Sequence, residues 1–326
     1  MPSHPLLNFK RRALLLAAAA LLPASAALAQ AFPSKAITLI VPWPAGGSTD
    51  RHLRGLSEIA SKNLGQQIII QNSPGGGGTT GPGNMALQAK PDGYTIAQYP
   101  MGMTRIPHMQ KTQWHPINDF TFIIGVTGYT FGLVTKAVSP YKSIQDFVEA
   151  ARKAPGIVDY GSTGTGTSPH LLMEELAINA KVQFNHVPFK GNADLMQALL
   201  GGHIKAASDA TGWDKFVDGG QMRLLVTFGD KRTKRWPNVL TAKEAGYNVV
   251  SSSPYGLVGP KGMDPAVVKA LHDAFKKAMD DPKHLELLDQ LNQDPWYKSS
   301  DDYRAWAVET FGKEKALIER LGLAAK

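Results

Sequence analysis

The chain contains no cysteine among its 326 residues. That excludes a disulfide framework and thiolate chemistry, and leaves stability to a hydrophobic core that a chain of this length can build. Long apolar runs are missing too: the most apolar stretch, residues 13–22, is about half the roughly 20 residues that a membrane-spanning helix needs. The phosphate-loop pattern Gly-x-x-x-x-Gly-Lys-Ser/Thr does not occur, because no lysine has glycine before it and serine or threonine after it. Gly-x-Ser-x-Gly, the signature of a nucleophilic serine on a strand-to-helix turn, is absent. So is His-Glu-x-x-His, the helical zinc pair. These gaps weigh against nucleotide binding, serine hydrolysis and a metal centre.

What is present begins with Lys10, Arg11 and Arg12, followed by the apolar stretch and by small residues ending in Ala27, Leu28 and Ala29. This is the layout of a secretory signal peptide, residues 1–29, cut after Ala29. The mature chain is therefore expected in the periplasm. Removing the three basic residues, the only Lys, Arg, Asp or Glu of that segment, takes the formal charge from +8 to +5. The remaining excess is spread out. Its densest run, KRTKR at 231–235, lies beside Trp236 and Pro237 and reads as a solvated loop or a protein contact, with no nucleic-acid motif to accompany it.

From residue 36 the chain alternates short apolar runs with helix-period segments, the pattern of βα units on a mainly parallel sheet. Strands are expected at 36–43, 67–71 and 94–99, with helices at 49–64, closed by Gly65, and around 83–90. A second series starts near Leu133. Ser143 and Asp146 have the spacing of a capping box, and strands at 157–160, 182–188, 204–208 and 223–228 alternate with helices at 169–179 and 193–200. Beyond Ser253 the chain reads as mostly helical, with Asp264-Pro265, Pro282 and Ser300 as helix starts, while residues 131–136 and 253–259 are apolar enough to serve as crossing strands. The fold class is thus α/β with two doubly wound lobes: residues 30–132 and 253–326 form one, and 133–252 the other. Two short crossings allow a hinge around a cleft.

In open α/β sheets ligands sit where strands lead into helices. Three such loops combine glycines with hydroxyls: PAGGSTD at 44–50, PGGGGTT at 74–80 and GSTGTGTS at 161–168. Glycine permits close backbone approach, and free amides at a helix start face an anion. Ser168 and Pro169 read as N-cap and first helical residue. The segment HVPFKGN at 186–192 repeats the strand-to-helix layout, with Lys190 able to approach an anion. Trp43 and Phe189 stand near these loops as apolar walls. Ser162, His170 and Asp209 can be drawn as a triad, which keeps a secreted hydrolase as an alternative; capping and loop roles explain the serine equally well. His170 and Glu174 have helical metal spacing but no third ligand.

In order, VPWPAGGSTD, NSPGGGGTTG, KPDGYT, YGSTGTGTSPHL, HVPFKG, ALLGGHI and TAKEAGY resemble the Bug (TctC-like) periplasmic substrate-binding receptors of tripartite tricarboxylate transporters, over essentially the whole mature chain. The resemblance implies a non-catalytic receptor of the type II, Venus-flytrap kind. It would close on a small organic acid without metal or cofactor, act as a monomer and work with membrane subunits of the transporter. A receptor that signals to a sensor protein is the alternative within the same class. By motif, the resemblance assigns ligand contacts to Ala45, Gly46, Gly47, Ser48 and Thr49, and to Ser162, Thr165, Gly166 and Thr167; beside these, Thr79 is a further candidate contact, and His170 a ligand contact or a core hydrogen bond. Asp50 is expected to order its loop, since a carboxylate facing a carboxylate would repel it. Trp43 and Phe189 depart from the family's usual residues, tilting the expected cargo toward an apolar or aromatic body. Asp209 is either a pocket residue that would favour an amino or hydroxyl group or a cap for the turn before Trp213.

Overall fold

Ile37–Val41 (β1) is apolar except at Thr38 and buried on both faces, as a strand covered by helices on two sides must be. It pairs in parallel with Ile68–Asn72 (β2) on one side and Thr95–Tyr99 (β3) on the other. Between β1 and β2 runs the helix Ser48–Leu64 (α1), which buries Leu53, Leu56 and Ala60. It ends at Gly65, whose φ of 69° is the left-handed conformation that glycine adopts without penalty. The computed structural model describes residues 32–251 and 253–325. Phe32, Pro33 and Ser34, which have no regular structure, belong to a separate N-terminal unit, and the main body starts at Lys35. The expected signal peptide, residues 1–29, lies outside the described residues.

The first sheet has six strands in the order β11-β4-β10-β3-β1-β2. Here β4 is Phe120–Gly128, β10 is Pro254–Pro260 and β11 is Pro295–Lys298. The last three strands are antiparallel to their neighbours, so the sheet is mixed rather than mainly parallel. The reason is topological: β10 enters from the second sheet at the opposite end from β1–β3. Helices Thr80–Gln88 (α2) and Gly102–Met109 (α3) follow β2 and β3. The C-terminal helices Pro265–Met279 (α8), Pro282–Gln290 (α9) and Ser300–Arg320 (α10) complete this half, which buries Tyr99, Phe120, Phe122 and Tyr303 in one aromatic cluster. Phe122 and Tyr303 meet edge to face at 5.2 Å.

The second sheet has five strands, β7-β6-β8-β5-β9: Phe131–Lys136 (β5), Asp159–Ser162 (β6), Asn185–Pro188 (β7), Ala206–Ala210 (β8) and Met222–Thr227 (β9). It too is mixed, because β5 runs antiparallel to both β8 and β9. Helices Ile144–Lys153 (α4) and Ser168–Ala180 (α5) pack Phe147, Leu172 and Leu176 into one core cluster. Asn192–Gly201 (α6) puts Leu195 and Leu199 into another, with Trp213 and Leu224. A single turn, Asp214–Asp218 (α7), precedes β9. The capping box at Ser143 and Asp146 is present in full. Two helix starts fall one residue earlier than expected: Thr167, not Ser168, is the N-cap of α5, and Ser299, not Ser300, that of α10.

The two sheets therefore form two α/β lobes. Tyr129 and Thr130 carry the chain from β4 in one to β5 in the other, and the stretch after β9 returns it to β10.

Candidate functional site

A cavity of about 60 Å³ lies between the lobes. Four helix starts reach it: Gly47 and Ser48 at α1, Met101 and Gly102 at α3, Thr167 and Ser168 at α5, and Asn192 at α6. None of these four helices has a side-chain cap. Of the helices that start elsewhere, α4, α8, α9 and α10 are capped by Ser143, Asp264, Asp281 and Ser299, while α2 and α7 are not. An uncapped start leaves amide N–H groups and the positive end of the helix dipole available. The hydroxyls of Ser48, Thr49, Thr163 and Ser253 add polar groups to the lining, those of Thr167 and Ser168 donate to Gly164 O and Ser253 Oγ, and no Lys or Arg is part of it. Such an arrangement can hold an anion with neutral groups alone.

The loop before α1 is held from behind. The Asp50 carboxylate accepts from Gly46 N at 2.9 Å, Arg54 Nε at 2.9 Å and Asn72 Nδ2 at 2.8 Å. Burial alone would raise its carboxyl, but the bonds from Arg54, Gly46 and Asn72 outweigh that and hold it below the ordinary value. Asp50 thus orders the loop, as expected. Trp43 donates through Nε1 to Gln98 Oε1 at 2.9 Å, Gln98 Nε2 donates to the Tyr129 hydroxyl at 2.8 Å, and that hydroxyl meets Thr49 Oγ1 at 2.7 Å. Burial pushes the Tyr129 phenol well above its ordinary value, so it stays neutral. Its ring stacks on Tyr255 at 4.6 Å. Behind it, Tyr255 OH, His52, His284 and the Met279 carbonyl form a chain of 2.8, 2.8 and 2.9 Å contacts. With both rings neutral, the carbonyl fixes its direction: His284 Nδ1 donates to Met279 O, His52 Nε2 to His284, and Tyr255 to His52.

The lobes touch around the cavity. The glycine loops of the two halves abut, so closely that a Cβ on Gly77 would lie 3.1 Å from the Thr165 carbonyl. Gly191 lies against Pro44. Arg105 of α3 is buried and binds Glu314 of α10 through two bonds, at 2.8 and 3.2 Å. Its remaining arm donates to Ser168 Oγ at 2.6 Å, and Ser168 in turn donates to Ser253 Oγ at 2.8 Å. One guanidinium therefore ties the first lobe to a helix start of the second.

Of the residues singled out in the sequence, Trp43, Gly47, Ser48, Thr49, Thr167 and Asp209 line the cavity. Ala45, Gly46, Thr165 and Lys190 are exposed and outside the lining. Thr79 turns its hydroxyl back to Gly76 O at 2.7 Å, and Phe189 packs against the core beside Leu195. Gly166 abuts Ile106 and Met109 of α3. Ser162 is fully buried and bonds His186 Nε2 at 2.7 Å, while His170 Nδ1 accepts from Gly166 N at 3.2 Å. Ser162, His170 and Asp209 therefore make no triad. Burial, then the charge of His186, lowers His170 to about 3; burial lowers His186 to about 4. Both are held neutral. Among the described residues no group of side chains is arranged to hold a metal ion, and no helix is long and apolar enough to cross a membrane.

Sequence reasoning missed Tyr129, Asn192 and Ser253 in the lining and Arg105 behind it. Asn192 was within reach, because it follows Gly191 at a strand-to-helix junction as Ser48 follows Gly47. Tyr129 and Ser253 sit at the crossings between sheets, which carry no motif of their own.

Two α/β lobes with a cavity between them are the architecture of a two-lobed solute-binding protein. The model of the tripartite tricarboxylate transporter family receptor (TctC) matches residues 53–323, and the chain belongs to that family. It is 48% identical over 321 residues to a Cupriavidus necator protein known as the UPF0065 protein in the gbd 5′ region, covering 97% of this chain and 98% of that one. The solved structure of the periplasmic binding protein BugD superposes with a TM-score of 0.86 at 26% identity, covering 90% of this chain and all (100%) of that chain. MatC from Rhodopseudomonas palustris, solved with bound malate, has the same fold, with a TM-score of 0.80 at 24% identity, covering 88% and 100%. This is a family of binding proteins and not of enzymes. It is a periplasmic family, and it implies partnership with a transporter.

Proposed function

We propose that the chain is an exported periplasmic receptor, freed of its signal peptide after Ala29, that captures a small organic carboxylate in the inter-lobe cavity. It would deliver that cargo to the membrane subunits of a tripartite tricarboxylate-type transporter. The lobes would divide close to residues 132 and 252 and move about the two crossings, closing on the ligand. The observation that carries this reading is the convergence of four uncapped helix starts on a cavity lined by no cationic side chain. Hydrogen bonds to a charged acceptor contribute roughly 1.5–3 kcal/mol each and a helix start adds about 0.3–1 kcal/mol. Several together, less the costs of association, supply the roughly 8 kcal/mol of micromolar affinity. Neutral donors also suit reversible capture, because release leaves no buried cation unpaired. The malate carried by MatC is a ligand of the proposed class.

The test is a thermal-shift screen of residues 30–326 against organic acids. A bound acid at 100 times its dissociation constant is expected to add about 2.7 kcal/mol of stability and raise the melting temperature. Stabilisation by neutral or cationic compounds, with none by any acid, would overturn the reading.

A further inference from the structure

Four acidic side chains are buried among the described residues: Asp50, Asp209, Asp214 and Glu314. Three have an arginine. Asp50 pairs with Arg54, Asp214 with Arg51 and Arg235, and Glu314 with Arg105. Asp209 alone makes no salt bridge within the described residues, although it is only 5% exposed. It sits at the end of β8 in the cavity wall. Its Oδ2 accepts a single side-chain bond, from Asn192 Nδ2 at 2.6 Å, and Asn192 is itself part of the lining.

A buried carboxylate without a cation is costly, and the molecule supplies cations to every comparable acid except the one that faces the cavity. The cavity is therefore bipolar. Helix starts and hydroxyls offer donors for an anion, while Asp209 offers an acceptor that lacks a charged partner. A second carboxylate of the cargo placed against Asp209 would be repelled, whereas an N–H or O–H there would complete its coordination.

We propose that Asp209, oriented by Asn192, receives a hydrogen-bond donor carried by the cargo itself, an ammonium or hydroxyl group on the carbon skeleton that bears the carboxylate. The receptor then selects amino- or hydroxy-carboxylates over their unsubstituted analogues. This deepens the receptor reading and rests on it. Burial, with no cation to offset it, raises the Asp209 carboxyl to about 6, in keeping with a group that awaits a partner.

The experiment is calorimetric titration at pH 7.5 with three matched triads: succinate, malate and aspartate; propionate, lactate and alanine; phenylpropionate, phenyllactate and phenylalanine. In the triad that binds, a donor-bearing member is expected to bind roughly 10- to 100-fold more tightly than the unsubstituted acid, the worth of one bond to a charged group. Whether the ammonium or the hydroxyl member leads identifies the donor. In Asp209→Asn, checked for folding by its melting curve, the ratio is expected to fall at least about fivefold. An unsubstituted acid that binds wild type as tightly as its substituted partners overturns the assignment of Asp209 while leaving the carboxylate receptor intact, and needs no variant to be read. A ratio unchanged in a folded Asp209→Asn overturns it as well. Absence of binding by every member would remove the receptor reading, and this proposal with it.

Discussion

Replacing Gly191 with alanine separates closure of the lobes from their folding. The φ of Gly191 is 177°, extended backbone that alanine adopts freely, so the substitution introduces no local strain. The new Cβ, however, would lie 2.4 Å from Pro44 Cγ and 2.5 Å from Pro44 Cδ, across the gap between lobes, where carbon atoms settle at about 3.5–4.0 Å. The lobes must stay apart by about 1 Å more, or the loops must deform. Overpacking of this kind costs about 1–3 kcal/mol, which is a factor of about 5–150 in an equilibrium between open and closed forms. If the ligand is held only when the lobes meet, its dissociation constant rises by the same factor. The assay is calorimetric titration of wild type and Gly191→Ala with one binding acid, alongside melting curves without ligand. Melting of the free protein is expected to hold or rise slightly, because alanine restricts the unfolded chain. A dissociation constant within about twofold of wild type would refute the argument that the Pro44–Gly191 contact belongs to the ligand-bound form.

Two other perturbations follow from the buried groups. Glu314→Gln leaves Arg105 with a buried charge and no carboxylate, so stability is expected to fall by about 3 kcal/mol, read as a lower denaturation midpoint; an unchanged midpoint would mean that the pair is not closed in solution. Four histidines, the buried His52, His170 and His284 and the half-buried His186, are all held below their ordinary value, chiefly by burial. Their contribution is complete above the unfolded value of about 6.5 and is lost as pH falls below it, because the unfolded chain then takes up protons that the fold excludes. Asp209, raised to about 6, works in the opposite sense between about pH 4 and 6 and offsets one of them. A net loss of stability as pH falls is expected in denaturation curves, at least roughly 1 kcal/mol per pH unit near pH 5 from His170 and His186 after the Asp209 offset; a flat profile from pH 7 to 5 would contradict the neutral assignments.

Much of the fold was legible because local chemistry and tertiary structure agree. Gly65 closes α1, Ser143 and Asp146 form their capping box, and Asp264-Pro265 starts α8. The helix α3 was not legible, since Gly102 and Pro107 both argue against a helix and only packing against α10 retains it. The strand β4 was passed over although Pro116, Asn118 and Asp119 precede it as turn residues, because it gains its meaning from pairing with β10, more than a hundred residues later in sequence. The site divides in the same way. Ser48, Thr49 and Thr167 were visible as hydroxyls beside glycines at helix starts. Exposure of Ala45, Gly46 and Thr165 was not, because neighbours in one loop face different sides of it. Tyr129, Ser253 and Arg105 reach the site or its latch only once two lobes are placed against each other, and no local pattern encodes that.

The central claim is that an anion is held between the lobes by backbone amides and hydroxyls at uncapped helix starts, without a cationic side chain. A crystal structure of the mature protein with a bound acid tests it most directly. The account places the carboxylate oxygens within about 3 Å of donors at the starts of α1 and α5, among Gly47, Ser48, Thr49, Thr167 and Ser168, with both lobes in contact. A carboxylate held instead by Lys190 or Arg51, or bound outside the inter-lobe cavity, would contradict it.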